Sequence, residues 1–169
     1  ILFIIFIMIG TSVSFVFFGF SGASETVKYN GIKFVQYPDR WEAKINGRAA
    51  AFSFLPNEVE NVIISDNSIQ KLQNKFEIDA TSDLNSTYKE SIALAQHQMG
   101  LTLAQYDIFV RKGFTTNTTF NLPVITCNNA TVNVPVVYFK YGNATNIHSK
   151  DDCIIAEAST NADFIRMKD

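Results

Sequence analysis

The pattern of apolar and polar positions changes character once along the chain. Residues 1–20, ILFIIFIMIGTSVSFVFFGF, hold fifteen apolar positions, interrupted only by Gly10, Thr11, Ser12, Ser14 and Gly19. As a helix rising about 1.5 Å per residue, this run spans about 30 Å, the thickness of a bilayer's hydrocarbon core. Serine and threonine hydroxyls can bond back to a carbonyl one turn earlier, so they do not forbid insertion. The run therefore predicts a transmembrane anchor over residues 1–20, joined by a short linker at 21–25 to a domain over 26–169. Two other readings stay open. Ser21, Gly22 and Ala23 offer the small residues a signal peptidase reads, although the run exceeds the usual h-region of about 7–15 residues. A pilin-like subunit would pack the segment inside a filament, but SGAS at 21–24 interrupts the long amphipathic rod that this requires. A buried helix of a soluble protein is the weakest alternative, because nothing later in the chain is large enough to wrap it.

After residue 25 the pattern becomes short and alternating. Apolar and polar residues alternate on both sides of Asn30-Gly31, and again around Asn46-Gly47. Asn-Gly between two such runs is the strongest short signal for a tight hairpin, so a four-strand meander is expected over 26–55. Pro38-Asp39 marks the turn between the hairpins, and Trp41 is expected in the core beside Phe34 and Phe52. A helical turn is expected near Pro56, a short helix over 68–75, a strand over 76–80 and a polar loop over 81–86. The main helix is expected over 87–104. Thr87 and Glu90 have capping-box spacing, and Tyr88, Ile92, Ala95, Met99 and Leu103 share one face. His97 falls away from that stripe and is expected to be partly exposed. Strands follow at 107–113, 122–127, 134–141 and 153–158, and a final helix opens near Asp163. Pro123 and Pro135 sit near strand starts, where a missing N–H costs least. The expected fold is α+β: an N-terminal transmembrane helix, then a small domain of mostly antiparallel strands packed with one main helix.

Charge sharpens the division. All 14 Lys and Arg and all 16 Asp and Glu lie after residue 20. The net charge of −2, with basic residues scattered, argues against a nucleic-acid partner. Two cysteines, Cys127 and Cys153, form an even, low set that in an exported domain favours one disulfide. Closing a loop of about 27 residues stabilises a fold by roughly 3–4 kcal/mol on the chain-entropy model. Asn85, Asn117, Asn129 and Asn143 each open an Asn-x-Ser/Thr acceptor site for N-glycosylation, which needs an exposed loop in an exported chain. Anchor, cysteines and acceptor sites together predict a single-pass membrane protein whose C-terminal domain is extracytoplasmic.

Catalytic chemistry is not legible. The nearest metal-like grouping, Cys127, His148, Asp151, Asp152 and Cys153, matches no zinc spacing. A cysteine nucleophile and a disulfide exclude each other. The chain contains no nucleophile-elbow, Walker or dinucleotide-binding motif, so no catalytic residue, metal or cofactor is expected. Acidic pairs such as Glu58/Glu60 and Asp151/Asp152 sit in polar stretches, where solvation is the ordinary explanation.

The order of these pieces resembles a group of uncharacterised archaeal proteins with a single membrane span and a small extracytoplasmic domain. The residues that carry the likeness are the N-terminal span, LPNEVE at 55–60, LPVITCNNAT at 122–131, VPVVYF at 134–139, GNAT at 142–145, CII at 153–155 and FIR at 164–166. The resemblance implies a location and a unified fold, with no assigned activity. It also implies a chain that continues past Asp169, and a start at Ile1 fits a fragment or a processed product. The leading expectation is a membrane-anchored cell-surface ectodomain with a binding or structural role. It would touch the lipid bilayer through residues 1–20 and a protein partner at the surface. A subunit of a surface assembly or filament, and an exported hydrolase with an unrecognised site, are the alternatives.

Overall fold

The computed structural model describes residues 25–169, so the transmembrane reading of residues 1–20 lies outside the described residues. Among the described residues, no helix is long and apolar enough to cross a membrane.

Strands β1 (Thr26–Tyr29), β2 (Ile32–Gln36), β3 (Trp41–Ile45) and β4 (Arg48–Phe52) form an antiparallel sheet in chain order. Both hairpins turn as the Asn-Gly pairs require, with Asn30 and Gly31 at φ 46° and 83° and Asn46 and Gly47 at 52° and 81°. Positive φ at both central positions is the twist-matched hairpin geometry. Phe34 is buried, and its ring meets Phe52 edge-on at 5.6 Å. Trp41 is opposite Phe52 but only half-buried, because it stands at the start of β3, at the margin of this small sheet.

A second, six-stranded sheet follows. Its elements are α1 (Pro56–Val59), β5 (Ile63–Ile64), α2 (Asp66–Leu72), β6 (Glu77–Ser82), α3 (Lys89–Ala104), β7 (Phe109–Phe114), β8 (Val136–Tyr141), β9 (Asn146–Lys150), β10 (Cys153–Ala158) and α4 (Asn161–Arg166). The strand order is β5-β9-β10-β8-β6-β7. Antiparallel pairing makes up the whole first sheet and the β9–β10 ladder, while the other four ladders of this sheet are parallel. Helix α3 provides the crossover from β6 to its parallel neighbour β7. The fold class is α+β as expected, with the parallel ladders as a further feature.

The two faces of the large sheet are covered differently. On one face, Ile78, Ala80, Val137, Phe139, Ile154 and Ala156 pack beneath Ile92 and Ala95 of α3 and Phe164 of α4. The predicted stripe of α3 is thus the packed one, with Tyr88, Met99 and Leu103 around that core. Its predicted capping box is absent. The helix begins at Lys89 with Tyr88 as N-cap and no side-chain cap bond, while Ser86 accepts from the Tyr88 and Lys89 amides. On the other face, Val136 and Cys153 lie under Ile125, with Cys127, Ala130, Tyr138 and Ile155 around them.

Three other expectations change. Residues 122–127 do not form a strand: Val124 makes one isolated bridge to Phe114, and Cys127–Asn129 is a 3-10 turn. Thr81 and Ser82, expected in a loop, are buried in β6. Strand β9 carries no strand signal in the sequence, because NIHSK lacks apolar alternation and gains its order from pairing with β10.

Candidate functional site

The first sheet sits against the C-terminal half of α3, and a cleft of about 320 Å³ opens between them. On one side it is lined by Ala49, Ala50, Ala51 and Phe52 of β4, with Ser53 after them. The far wall is α3, presenting Gln98, Leu101, Thr102 and Gln105. Arg40 stands at the rim, 3.2 Å from Asp39 and 3.8 Å from Glu42, and its guanidinium lies over the Tyr37 ring at 5.1 Å. Lys168 closes one end.

Several bonds hold the cleft walls at their spacing. The Tyr106 hydroxyl donates to Ile45 O at 3.4 Å, and Arg48 pairs with Asp107 at 2.7 Å. The Asp169 carboxylate accepts the backbone N–H groups of Ser53 and Phe54 at 2.9 Å and pairs with Lys168, both side chains being almost fully buried. Burial pushes the Asp169 carboxyl up, and the Lys168 ammonium with the two amides only partly offsets it. Within the cleft wall, the buried Gln98 Oε1 has no hydrogen-bond partner among the described residues. An acceptor buried without a partner costs free energy.

The predicted site residues lie elsewhere. Cys127 and Cys153 are joined, with Cα atoms 5.1 Å apart, and Cys153 is buried at the start of β10. The bond staples the 3-10 turn to the sheet rather than joining two neighbouring strands, because β8 and β9 occupy both flanks of β10. Thr81 adds a second tie on that face, donating to Ile125 O at 2.7 Å. Asn85, Asn117, Asn129 and Asn143 are all exposed on loops or the turn. Asn129 Oδ1 also accepts from the Thr126 amide at 2.8 Å, which fixes its side chain.

His97 is exposed, as its position off the apolar stripe implied. His148 lies on β9, bonded to Asn146 at 2.7 Å, and Asp152 pairs with Lys71 at 3.2 Å. Among the described residues, no three His, Cys, Asp or Glu side chains gather as a metal ion would require. The cleft had no sequence signal beyond AAA at 49–51, since its two walls come from segments about fifty residues apart and meet only in the folded chain. Comparison of the chain with protein-family models, curated proteins and solved structures yields no match.

Proposed function

We propose that this chain is a membrane-anchored extracytoplasmic domain that binds a partner or ligand, held at the bilayer by residues 1–20. The observation that carries the reading is the Cys127–Cys153 bond, which ties a surface turn to the buried start of β10. Disulfides persist in oxidising compartments outside the cytoplasm. The uncharged run at 1–20 and the exposure of all four acceptor asparagines support the same location. A binding role is supported by the cleft between β4 and α3. The likeness to archaeal single-span proteins is part of this proposal.

Membrane fractionation of the full chain tests it. The chain is expected to resist alkaline carbonate, dissolve in detergent, and be cut by protease added outside intact cells. Both thiols are expected to stay unlabelled until reductant is added. A chain found in the soluble cytoplasmic fraction with two reactive thiols overturns the reading.

A further inference from the structure

Strand β7 forms one edge of the six-stranded sheet, pairing in parallel with β6 on its inner side. In a parallel ladder, alternate residues turn both their N–H and C=O toward one neighbour. Phe109 N donates to Phe76 O and Thr115 N to Ser82 O, so residues 109, 111, 113 and 115 face inward. Val110, Lys112 and Phe114 consequently turn their backbone groups outward. Phe114 is already paired there, donating to Pro123 O and accepting from Ile125 N. Among the described residues, no backbone or side-chain group bonds to the outward N–H and C=O of Val110 and Lys112.

Beside these open groups lies a groove of about 240 Å³ between β7 and α3, lined by His97, Gly100, Leu101, Ala104 and Ile108 on its helix side. Gly100 and Ala104 keep it open. A methyl group placed on Gly100 would come within 3.8 Å of Val110 and 3.9 Å of the Lys112 side chain. Leu101 and Phe109 flank the groove at 58% and 63% exposure. No acidic residue lines it, and Lys112 makes no ion pair among the described residues.

We propose that β7 accepts an added strand: an extended peptide segment of another protein, with an apolar side chain and a carboxylate two residues apart on one face. Its backbone pairs with Val110 and Lys112. Its apolar side chain enters the groove over Gly100 and Ala104, and its carboxylate meets Lys112. Strand addition of this kind takes affinity from main-chain bonds and specificity from pockets for alternate side chains. A second copy of the chain is a poorer occupant. The two-fold antiparallel pairing that satisfies all four open groups sets Val110 of one copy opposite Lys112 of the other, so neither lysine meets a carboxylate. The proposal deepens the binding reading above by naming a surface and a partner chemistry. Its test does not depend on where the chain resides.

The test pans a display library of random ten-residue peptides against the full chain in detergent. Enriched peptides are expected to alternate apolar and acidic positions. Hydrogen exchange on the complex should then show the Val110 and Lys112 amides protected, with Arg111 and Gly113 slow throughout. Lys112→Pro removes an outward N–H and no ladder bond, so it should fold and lose at least tenfold in affinity for the selected peptide. Lys112→Glu should lose a similar factor and regain it for a peptide whose carboxylate is replaced by lysine. No enriched peptide, unchanged affinity in a folded Lys112→Pro variant, or protection arising instead from self-association would each overturn the proposal. Membrane location is read by fractionation alone, so failure here and failure there are separate results.

Discussion

Asp79 and Arg111 stand directly opposite each other in the parallel ladder between β6 and β7, joined by two hydrogen bonds of 2.7 Å. Asp79 is 1% exposed, while the Arg111 side chain is 49% exposed and also lies 3.6 Å from Glu77. The carboxylate beside it raises the pKa of the Arg111 guanidinium above its ordinary value. The pair is therefore lopsided: one partner is desolvated and the other still reaches water.

That asymmetry orders two substitutions. Arg111→Ala strands a buried carboxylate and should destabilise the fold by about 2–3 kcal/mol, less than the ~3–5 kcal/mol of a fully buried pair because water reaches the guanidinium. Asp79→Asn keeps a hydrogen-bond acceptor and should cost about 1–2 kcal/mol. Urea unfolding of both variants at neutral pH checks the order, and a larger loss for Asp79→Asn would contradict it.

Reduction of Cys127–Cys153 frees a turn that otherwise lies across the sheet. For a separation of 26 residues, the chain-entropy relation gives a loss of about 3.5 kcal/mol. The midpoint of denaturant unfolding should fall accordingly on adding reductant. A Cys127→Ala, Cys153→Ala double variant should show the low midpoint and no further response to reductant.

Two carboxylates pull the acid limb of stability in opposite directions. Burial pushes Asp163 up, but bonds from the Thr160 and Thr145 hydroxyls and the nearby Arg166 outweigh it and hold the carboxyl below its usual range. A depressed folded pKa contributes stability above the unfolded value of about 3.8, lost as pH falls through the folded one. Asp169 is raised instead, so acidification from its folded pKa down to about 3.8 adds stability, because the folded state binds the proton more tightly. Stability measured against pH should rise slightly on approach to pH 4 and then fall. Asp169→Asn should remove the rise and Asp163→Asn the fall, and an unaltered profile in either variant would refute that assignment.

Two glycines should respond differently to alanine. A Cβ on Gly113 would lie 2.6 Å from the carbonyl oxygen of Pro123 and 2.7 Å from Ile125 Cδ1, where the crossing segment is fixed by its bonds to Phe114. Overpacking of this kind costs about 1–3 kcal/mol. On Gly142 the three atoms nearest the Cβ would all belong to the Glu157 side chain, which can rotate aside at the cost of its 3.5 Å pair with Lys140. Thermal unfolding should show a clear drop for Gly113→Ala and less than half of it for Gly142→Ala.

Much of the local structure was legible in the chain. Asn30-Gly31 and Asn46-Gly47 determine their hairpins because only a few residue types accept positive φ at both turn positions. The spacing of Ile92, Ala95, Met99 and Leu103 determines which face of α3 is packed, since helical period alone places them together. The pairing partner of each cysteine also followed, there being only two. Thr87 and Glu90 do not cap α3 despite their spacing, because a cap depends on where the chain enters the helix as well as on residue type.

Strand direction and neighbour choice belonged to the tertiary structure. In β6 the residues Ile78 to Ser82 are buried on both faces, so they show no alternation from which pairing could be read. Strand β9 exists because β10 supplies its partner groups, and residues 122–127 lack a strand because β7 offers them only one bridge. The cleft over Ala49-Ala50-Ala51 and the open edge at Val110 and Lys112 arise from the same cause. Each is defined by what a neighbouring segment covers or leaves uncovered, and that is fixed only when elements distant along the chain pack together.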